Sequence, residues 1–140
     1  MSTKVTKLTV GELCQLNAEL NSEKGLLSER LPMVFKYHLS KVAKIAAEEQ
    51  GSVDKLRDES IRSLGVPTPE GGFSIPQFIE VKKGSKTNSV QNPVYLNFVG
   101  EMEKLLKEEK DIEYEEFFIN DLKQVESEQN FPVFFKLLEA

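Results

Sequence analysis

The sequence predicts a mainly α protein with minor β (α+β): a long helical hairpin, a small two- or three-stranded sheet and short C-terminal helices. Three observations predict this class. Pro32–Leu64 contains no internal proline and spaces its apolar residues by four and three. Pro93–Lys110 has a second helical apolar stripe, which can pack against the first. Two short segments, Lys4–Leu8 and Asp111–Ile119, alternate in the manner of strands.

The N-terminal segment predicts a strand followed by a helix. Val5, Thr6 and Leu8 favour an extended chain. Thr9 and Glu12 then form a capping-box pattern, in which each side chain satisfies the other residue's free amide. A helix is expected over about Val10–Leu20, and the polar residues 21–25 end it in a turn.

The long helix is predicted to begin at Pro32, where the missing amide costs nothing. Glu49 interrupts its apolar stripe and Gly51 weakens its middle by up to about 1 kcal/mol. Gly65 is expected to end the helix in the left-handed conformation, and Pro67 prevents its resumption. The stripe consists of Phe35, Leu39, Val42, Ala46, Val53, Leu56, Ile61 and Leu64.

Loops and one more helix are expected next. Residues 66–72 are rich in proline and glycine, and Phe73–Val81 is extended, although Pro76 confines it to an edge strand or an irregular segment. Residues 82–92 are polar apart from Val90 and are predicted to form a mobile loop. Asn92 caps the helix that follows. Its expected buried stripe is Tyr95, Phe98, Met102 and Leu105 or Leu106.

The C-terminal third is expected to complete one domain over residues 1–140. The strand at Asp111–Ile119 has the N-terminal strand as its natural partner. Asn120 can cap a short helix that runs to about Gln129, and Pro132 can open a last helix. That helix would dock on the core through Phe134, Phe135, Leu137 and Leu138.

Composition excludes several classes of function. The 140 residues carry a formal net charge of −5, and residues 71–140 supply the excess with 8 Lys/Arg against 13 Asp/Glu. Without a basic stripe, direct nucleic-acid binding is not expected. One cysteine, Cys14, excludes an intramolecular disulfide, one cysteine with one histidine excludes the usual zinc sites, and no cofactor is predicted. The sequence shows neither a secretory leader nor a membrane span, so we expect the reducing cytoplasm.

An acidic run crosses the end of the second long helix into the strand. It could coordinate a hard cation, form a solvated face or meet a partner. Glu113 and Glu115 are expected to share one exposed strand face, without the spacing of a calcium loop. The run consists of Glu108, Glu109, Asp111, Glu113, Glu115 and Glu116.

The other polar and aromatic candidates admit two interpretations each. His38 has no nucleophile in register, because residues two apart on a helix, such as Ser40, do not face each other. Three lysines in the polar loop could contact phosphate or an acidic partner, or only improve solubility; they are Lys82, Lys83 and Lys86. The aromatic tail could fill the core or dock in a partner groove; it consists of Phe131, Phe134 and Phe135, preceded by Phe117 and Phe118.

Four segments resemble a group of small uncharacterised proteins encoded by tailed bacteriophages and prophages. They are KLTVGEL at 7–13, LSERLPMVFKYHLSKVAK at 27–44, NPVYLNFVGEMEKLLKEE at 92–109 and DIEYEEF at 111–117. The resemblance lies in the layout of helices and strands. The chain departs from it in the 68–91 insertion and the Phe-rich end. The resemblance implies a phage origin and a non-enzymatic role, and it carries over no catalytic residue.

The leading hypothesis is a non-enzymatic protein–protein interaction module, a minor virion or assembly component located in the host cytoplasm and incorporated in the virion. The alternative is an inhibitor that binds a host or defence protein through its acidic surface. A metal-dependent hydrolase is a third hypothesis. The expected partner is a protein, with no membrane and no direct nucleic acid. The candidate partner surface consists of Glu113, Glu115, Glu116, Lys82, Lys83, Lys86, Phe131, Phe134 and Phe135.

Overall fold

The computed structural model describes residues 3–122 and 131–139 and confirms the α+β class. Two short 3-10 turns, at Leu26–Ser28 and Ile119–Leu122, accompany the main elements. In chain order these elements are β1 (Thr3–Thr9), α1 (Val10–Asn21), α2 (Met33–Leu64), β2 (Val66–Pro67), β3 (Phe73–Ser74), β4 (Phe78–Lys83), β5 (Lys86–Gln91), α3 (Pro93–Lys107), β6 (Glu109–Glu115) and α4 (Pro132–Glu139).

The chain gathers into two compact units. Unit 1 consists of Met1–Ser52 and Leu106–Ala140, and unit 2 consists of Val53–Leu105. The prediction of one domain over residues 1–140 does not anticipate this division. The strands form three separate two-stranded antiparallel sheets, β1 with β6, β2 with β3 and β4 with β5.

Unit 1 contains the sheet that the sequence predicts. β1 pairs with β6 over its whole length, and Thr6 lies opposite Ile112 in the register. Ile112 and Tyr114 point to the core from alternate positions of β6. An aromatic cluster covers them: the ring centroids of Phe117 and Phe134 lie 5.4 Å apart, and those of Phe35 and Phe117 lie 5.1 Å apart. Leu8, Leu13, Leu16, Leu20, Leu39 and Leu137 complete the buried core.

Helix α1 begins at the predicted capping box. The Glu12 amide donates to the Thr9 hydroxyl, and the Thr9 amide donates to the Glu12 carboxylate, both at 3.0 Å. These two bonds satisfy donors that a helix start otherwise leaves open. The prediction of the cap is therefore confirmed at both residues.

Helix α4 is capped by a residue that is distant in the sequence. Pro132 in its first position has no amide hydrogen, and the preceding Phe131 has no side-chain acceptor. The Glu19 carboxylate accepts the amides of Val133 at 3.3 Å and Phe134 at 3.0 Å. Glu19 is only 5% exposed. This buried carboxylate therefore ties α1 to α4 in the core of unit 1.

The apolar stripe of α2 is buried in its first part only. Every stripe residue from Phe35 to Val53 is buried, whereas Leu56 and Leu64 are about half exposed. Glu49, which interrupts the stripe, forms an ion pair with Lys110, in which the carboxylate oxygen lies 2.7 Å from the ammonium nitrogen. The stripe is therefore buried from Phe35 to Val53 and is exposed at Leu56 and Leu64.

The end of α2 corrects one expectation. Gly65 does not adopt a positive φ, so the predicted left-handed cap is wrong. The position excludes a side chain for another reason. A Cβ there would lie 2.4 Å from the Ile61 carbonyl oxygen and 2.6 Å from that of Ser74. Gly65 permits the close approach of the β3 backbone to the end of the helix.

Residues 82–92 of unit 2 do not form the predicted loop. That segment belongs to a regular hairpin of β4 and β5, in which a Gly84-Ser85 turn joins Lys83 to Lys86. Gly84 has φ +65° in the position where two-residue hairpin loops favour glycine. The pairing register, rather than burial, orders the segment, because every residue of both strands is exposed.

Helix α3 begins as predicted but is less buried than expected. The Asn92 side chain accepts from the Val94 amide at 3.1 Å and donates to the Pro76 carbonyl at 2.9 Å. No residue of α3 is fully buried. Its predicted stripe (Tyr95, Phe98, Met102, Leu105 and Leu106) is half-buried.

Two predicted bounds change at the C-terminal end. β6 ends at Glu115 rather than Ile119, and Phe117 beyond it packs in the aromatic cluster. A helix was expected from Asn120 to Gln129. Its first residues form the 3-10 turn Ile119–Leu122, and residues 123–130 lie outside the described part of the chain. The last helix begins at Pro132 as predicted.

Candidate functional site

A polar cleft of about 320 Å³ lies in unit 1 beside α2 and β6. Its polar lining combines Thr3, His38, Lys41, Glu113 and Glu115. The Thr3 hydroxyl donates to one Glu115 carboxylate oxygen at 3.2 Å. The other oxygen is buried and has no hydrogen-bond partner in the described part of the chain. The cleft therefore brings an amine, an imidazole and two carboxylates together.

The side chains of α2 in this cleft are held by their own helix. The Tyr37 ring lies 5.3 Å from that of His38, and the Lys41 ammonium lies 4.6 Å from the Tyr37 ring centroid. The Ser40 hydroxyl donates to the Tyr37 carbonyl at 2.7 Å. Ser40 is therefore not poised against His38, in agreement with the helical spacing.

The hypothesis of a metal-dependent hydrolase gains no support from the geometry. Within residues 3–122 and 131–139, no three His, Cys, Asp or Glu side chains come close enough together to hold a metal ion. The carboxylates of the acidic run are instead spread along a strand, where successive side chains point to opposite faces.

The acidic run is exposed but partly neutralised. Glu113 is exposed, whereas Glu115 and Glu116 are half-buried. Lys4 lies 3.4 Å from Glu116, and Lys7 lies 3.8 Å from Glu109, because β1 runs alongside β6. The expected common face of Glu113 and Glu115 is present, with Glu115 the more buried of the two.

The three candidate lysines lie at the closed end of the β4–β5 hairpin. Lys83 and Lys86 face each other across the strands, and Lys82 lies opposite Thr87 on the other face. All three are exposed. The lysines are therefore available at a surface, but they belong to strands instead of the expected loop.

Two of the candidate partner residues in the aromatic tail are buried, which corrects the prediction that they lie on a partner surface. Phe134 is fully buried and Phe131 is 5% exposed, so both belong to the core. Their rings and the adjoining Phe117 fill the space above the sheet of unit 1, which makes them unavailable to a partner. Phe135 is 39% exposed and remains available.

Unit 2 exposes many large apolar side chains, which the sequence did not predict. Unit 2 has one buried large apolar side chain, Val53, whereas ten others expose between 37% and 53% of their area. They are Leu56, Leu64, Val66, Phe73, Phe78, Ile79, Val81, Val90, Val94 and Leu96. Three of them, Ile79, Val81 and Val90, lie together on one face of the β4–β5 hairpin. Exposed apolar side chains that lie together on a soluble protein are typical of binding sites.

Comparisons with protein-family models, with curated proteins and with solved structures found no match. Among the helices that the structure describes, none combines the length and the apolar character needed to cross a bilayer.

Proposed function

We propose that this chain is a non-enzymatic protein–protein interaction module and that unit 2 is the part that binds. The observation that supports the proposal is the set of ten half-exposed apolar side chains in a unit of only 53 residues. Burial of apolar area is the main favourable term in protein association. A partner that covers this area would therefore stabilise both itself and unit 2.

The exposed side chains include the residue types that anchor interfaces. Leu56, Phe78 and Leu96 are the most exposed leucine and phenylalanine side chains there, and large aromatic and aliphatic side chains commonly anchor interfaces. The exposed hairpin also offers free backbone groups to a partner strand.

The biological setting of the module is a minor virion or assembly component of a tailed bacteriophage, present in the host cytoplasm and incorporated in the particle. The layout-level resemblance supports this part of the proposal. Mass spectrometry of purified particles should find the chain at a constant, stoichiometric copy number. Its absence from particles, together with abundance in infected cells, would contradict the virion role.

A second candidate function is an inhibitor that binds a host or defence protein through its acidic surface. Four residues of the acidic run favour it by their exposure: Glu108, Glu109, Asp111 and Glu113. A pull-down from host lysate should then return one dominant protein. Charge reversal of Glu113, Glu115 and Glu116 should release that protein, and charge reversal of the exposed Glu101 and Glu103 on α3 should not. Capture that is indifferent to both sets would exclude electrostatic mimicry.

A further inference from the structure

The β4–β5 hairpin leaves one edge of β4 unpaired with any other strand of the described chain. The Asn92 amide donates to the Gln77 carbonyl at 2.9 Å, which continues the register of the hairpin by one residue pair. In an antiparallel pair, hydrogen-bonded residue pairs alternate with non-bonded ones. Ile79 and Val81 therefore direct their backbone groups to β5, and the groups of Phe78, Glu80 and Lys82 point to the free edge.

This edge can accept a second strand, because all six residues of β4 are exposed. Natural proteins protect such edges when they are to remain unpaired. The charged residues of β4, Glu80, Lys82 and Lys83, protect the edge against strands of unmatched charge. Pro76 lies before β4 and leaves the amides of Glu80 and Lys82 free to donate to a strand of matched charge. The edge is therefore competent for strand addition.

The charges on β4 select a strand of the same sequence in one register. In an antiparallel pair centred on Val81, Glu80 of each copy lies opposite Lys82 of the other copy, and these are the residues whose backbone groups point outward. The register centred on Glu80 would place two glutamates opposite each other. The register centred on Lys82 would place two lysines opposite each other. Like charges in these positions destabilise pairing, so of these three registers the one centred on Val81 satisfies both the backbone and the charges.

The other face of the hairpin carries an apolar cluster of Ile79, Val81 and Val90, beside Asn88, Lys83 and Lys86 near the turn. Ile79 and Val90 are cross-strand partners, and Val81 follows them on that face. A two-fold axis at Val81 brings the two copies of this apolar cluster side by side. The edge of β5 offers no comparable match, because Lys86 is its only charged residue.

We propose that a second copy of this chain pairs along β4, across a two-fold axis at Val81, to form a four-stranded antiparallel sheet in the order β5–β4–β4–β5. The proposal rests on unit 2 being the binding part, and it names one partner of that unit. The contact is isologous, as expected of a dimer with two-fold symmetry.

Charge exchange at two positions tests the pairing. Sedimentation velocity of the full chain, over a concentration series up to its solubility, should show a monomer–dimer equilibrium. Glu80→Lys and Lys82→Glu each replace two attractive pairs by two repulsive ones, so each should raise the dimer Kd by roughly tenfold or more. The double variant E80K/K82E should return to the wild-type Kd. An equimolar mixture of E80K and K82E should form a one-to-one heterodimer.

The controls separate association from folding. Glu80 lies opposite Ser89 and Lys82 opposite Thr87, so neither substitution removes a charge pair within the hairpin. Glu101→Lys makes the same charge change on the exposed face of α3 and should leave the Kd unchanged. Lys82→Pro should also abolish the dimer, because it removes an outward amide without touching the bonds to β5.

Three results would overturn the proposal: a monomeric wild-type chain throughout the series, a dimer indifferent to E80K, or a mixture of the two single variants that stays monomeric. None of these results would change the mass spectrometry of purified particles, which tests the proposed function separately. Conversely, absence from particles would not alter the dimer measurement.

Discussion

Replacement of Glu19 should destabilise the chain far more than replacement of any exposed glutamate. Its carboxylate accepts two amides at the start of α4, and it is only 5% exposed. A hydrogen bond to a charged group contributes about 1.5–3 kcal/mol, and a buried donor left without a partner costs about 1–3 kcal/mol. Glu19→Ala leaves both amides without an acceptor, so we expect the free energy of unfolding to fall by about 4 kcal/mol. Glu19→Gln keeps one acceptor oxygen but loses the charge at the helix N-terminus, so we expect about 2 kcal/mol.

Equilibrium urea unfolding at neutral pH, followed by far-UV circular dichroism, measures these losses. A whole domain is stable by only about 5–15 kcal/mol, so both losses are large shifts of the midpoint. Glu23→Gln is the matched control, because Glu23 is exposed just beyond α1, and it should change stability by less than about 0.5 kcal/mol. Equal midpoints for the Glu19 and Glu23 variants would refute the assignment of Glu19 as the cap of α4.

Three further predictions concern single groups. Gly51→Ala should stabilise the chain by about 0.5–1 kcal/mol in the same assay, because a Cβ there meets nothing within 4 Å in the middle of α2; a loss of stability would contradict this. Tyr114→Phe should cost about 1–2 kcal/mol, because its buried hydroxyl donates to the Leu137 carbonyl at 2.9 Å; no change would contradict this. Burial raises the pKa of Glu12, but the Lys136 ammonium 2.7 Å away and the Thr9 cap outweigh it and hold that pKa below its ordinary value. Stability should therefore fall as pH drops below about 4.5, and the fall should be smaller in Glu12→Gln.

Local signals in the sequence predicted local structure well. The start of α1 depends on Thr9 and Glu12, three residues apart, and the start of α3 depends on Asn92, whose side-chain oxygen reaches the amide two residues on. The pairing of β1 with β6 could also be predicted, since two alternating segments lacked other partners. Each of these features rests on residue types whose preferred geometry is the same in most proteins.

Features that depend on contacts distant in the sequence could not be predicted. Glu19 looks like an ordinary helix residue until α4 brings two amides against it. Gly65 is required by the backbone of Ser74 and not by its own φ. The exposed apolar surface of unit 2 also needed the structure, because helical spacing at Leu56 and Leu64 predicts burial as readily as binding.

The hairpin was a different kind of miss. Its signal was present as Gly84-Ser85, a two-residue turn flanked by the β-branched residues Val81 and Thr87. The high polarity of residues 82–92 outweighed this signal, since polar segments without periodicity usually form loops. A strand exposed on both faces lacks the apolar alternation by which strands are normally found.

Site-specific photo-crosslinking in cells that produce the protein shows whether unit 2 is the part that binds a partner. A benzophenone side chain would replace Phe78 of unit 2 or Phe118 of unit 1, which expose 53% and 57% of their area. Because the two positions match in residue type and exposure, only their surroundings differ. We predict discrete protein adducts from position 78 and none from position 118. Adducts from position 118, with none from position 78, would contradict the proposal that unit 2 is the binding part.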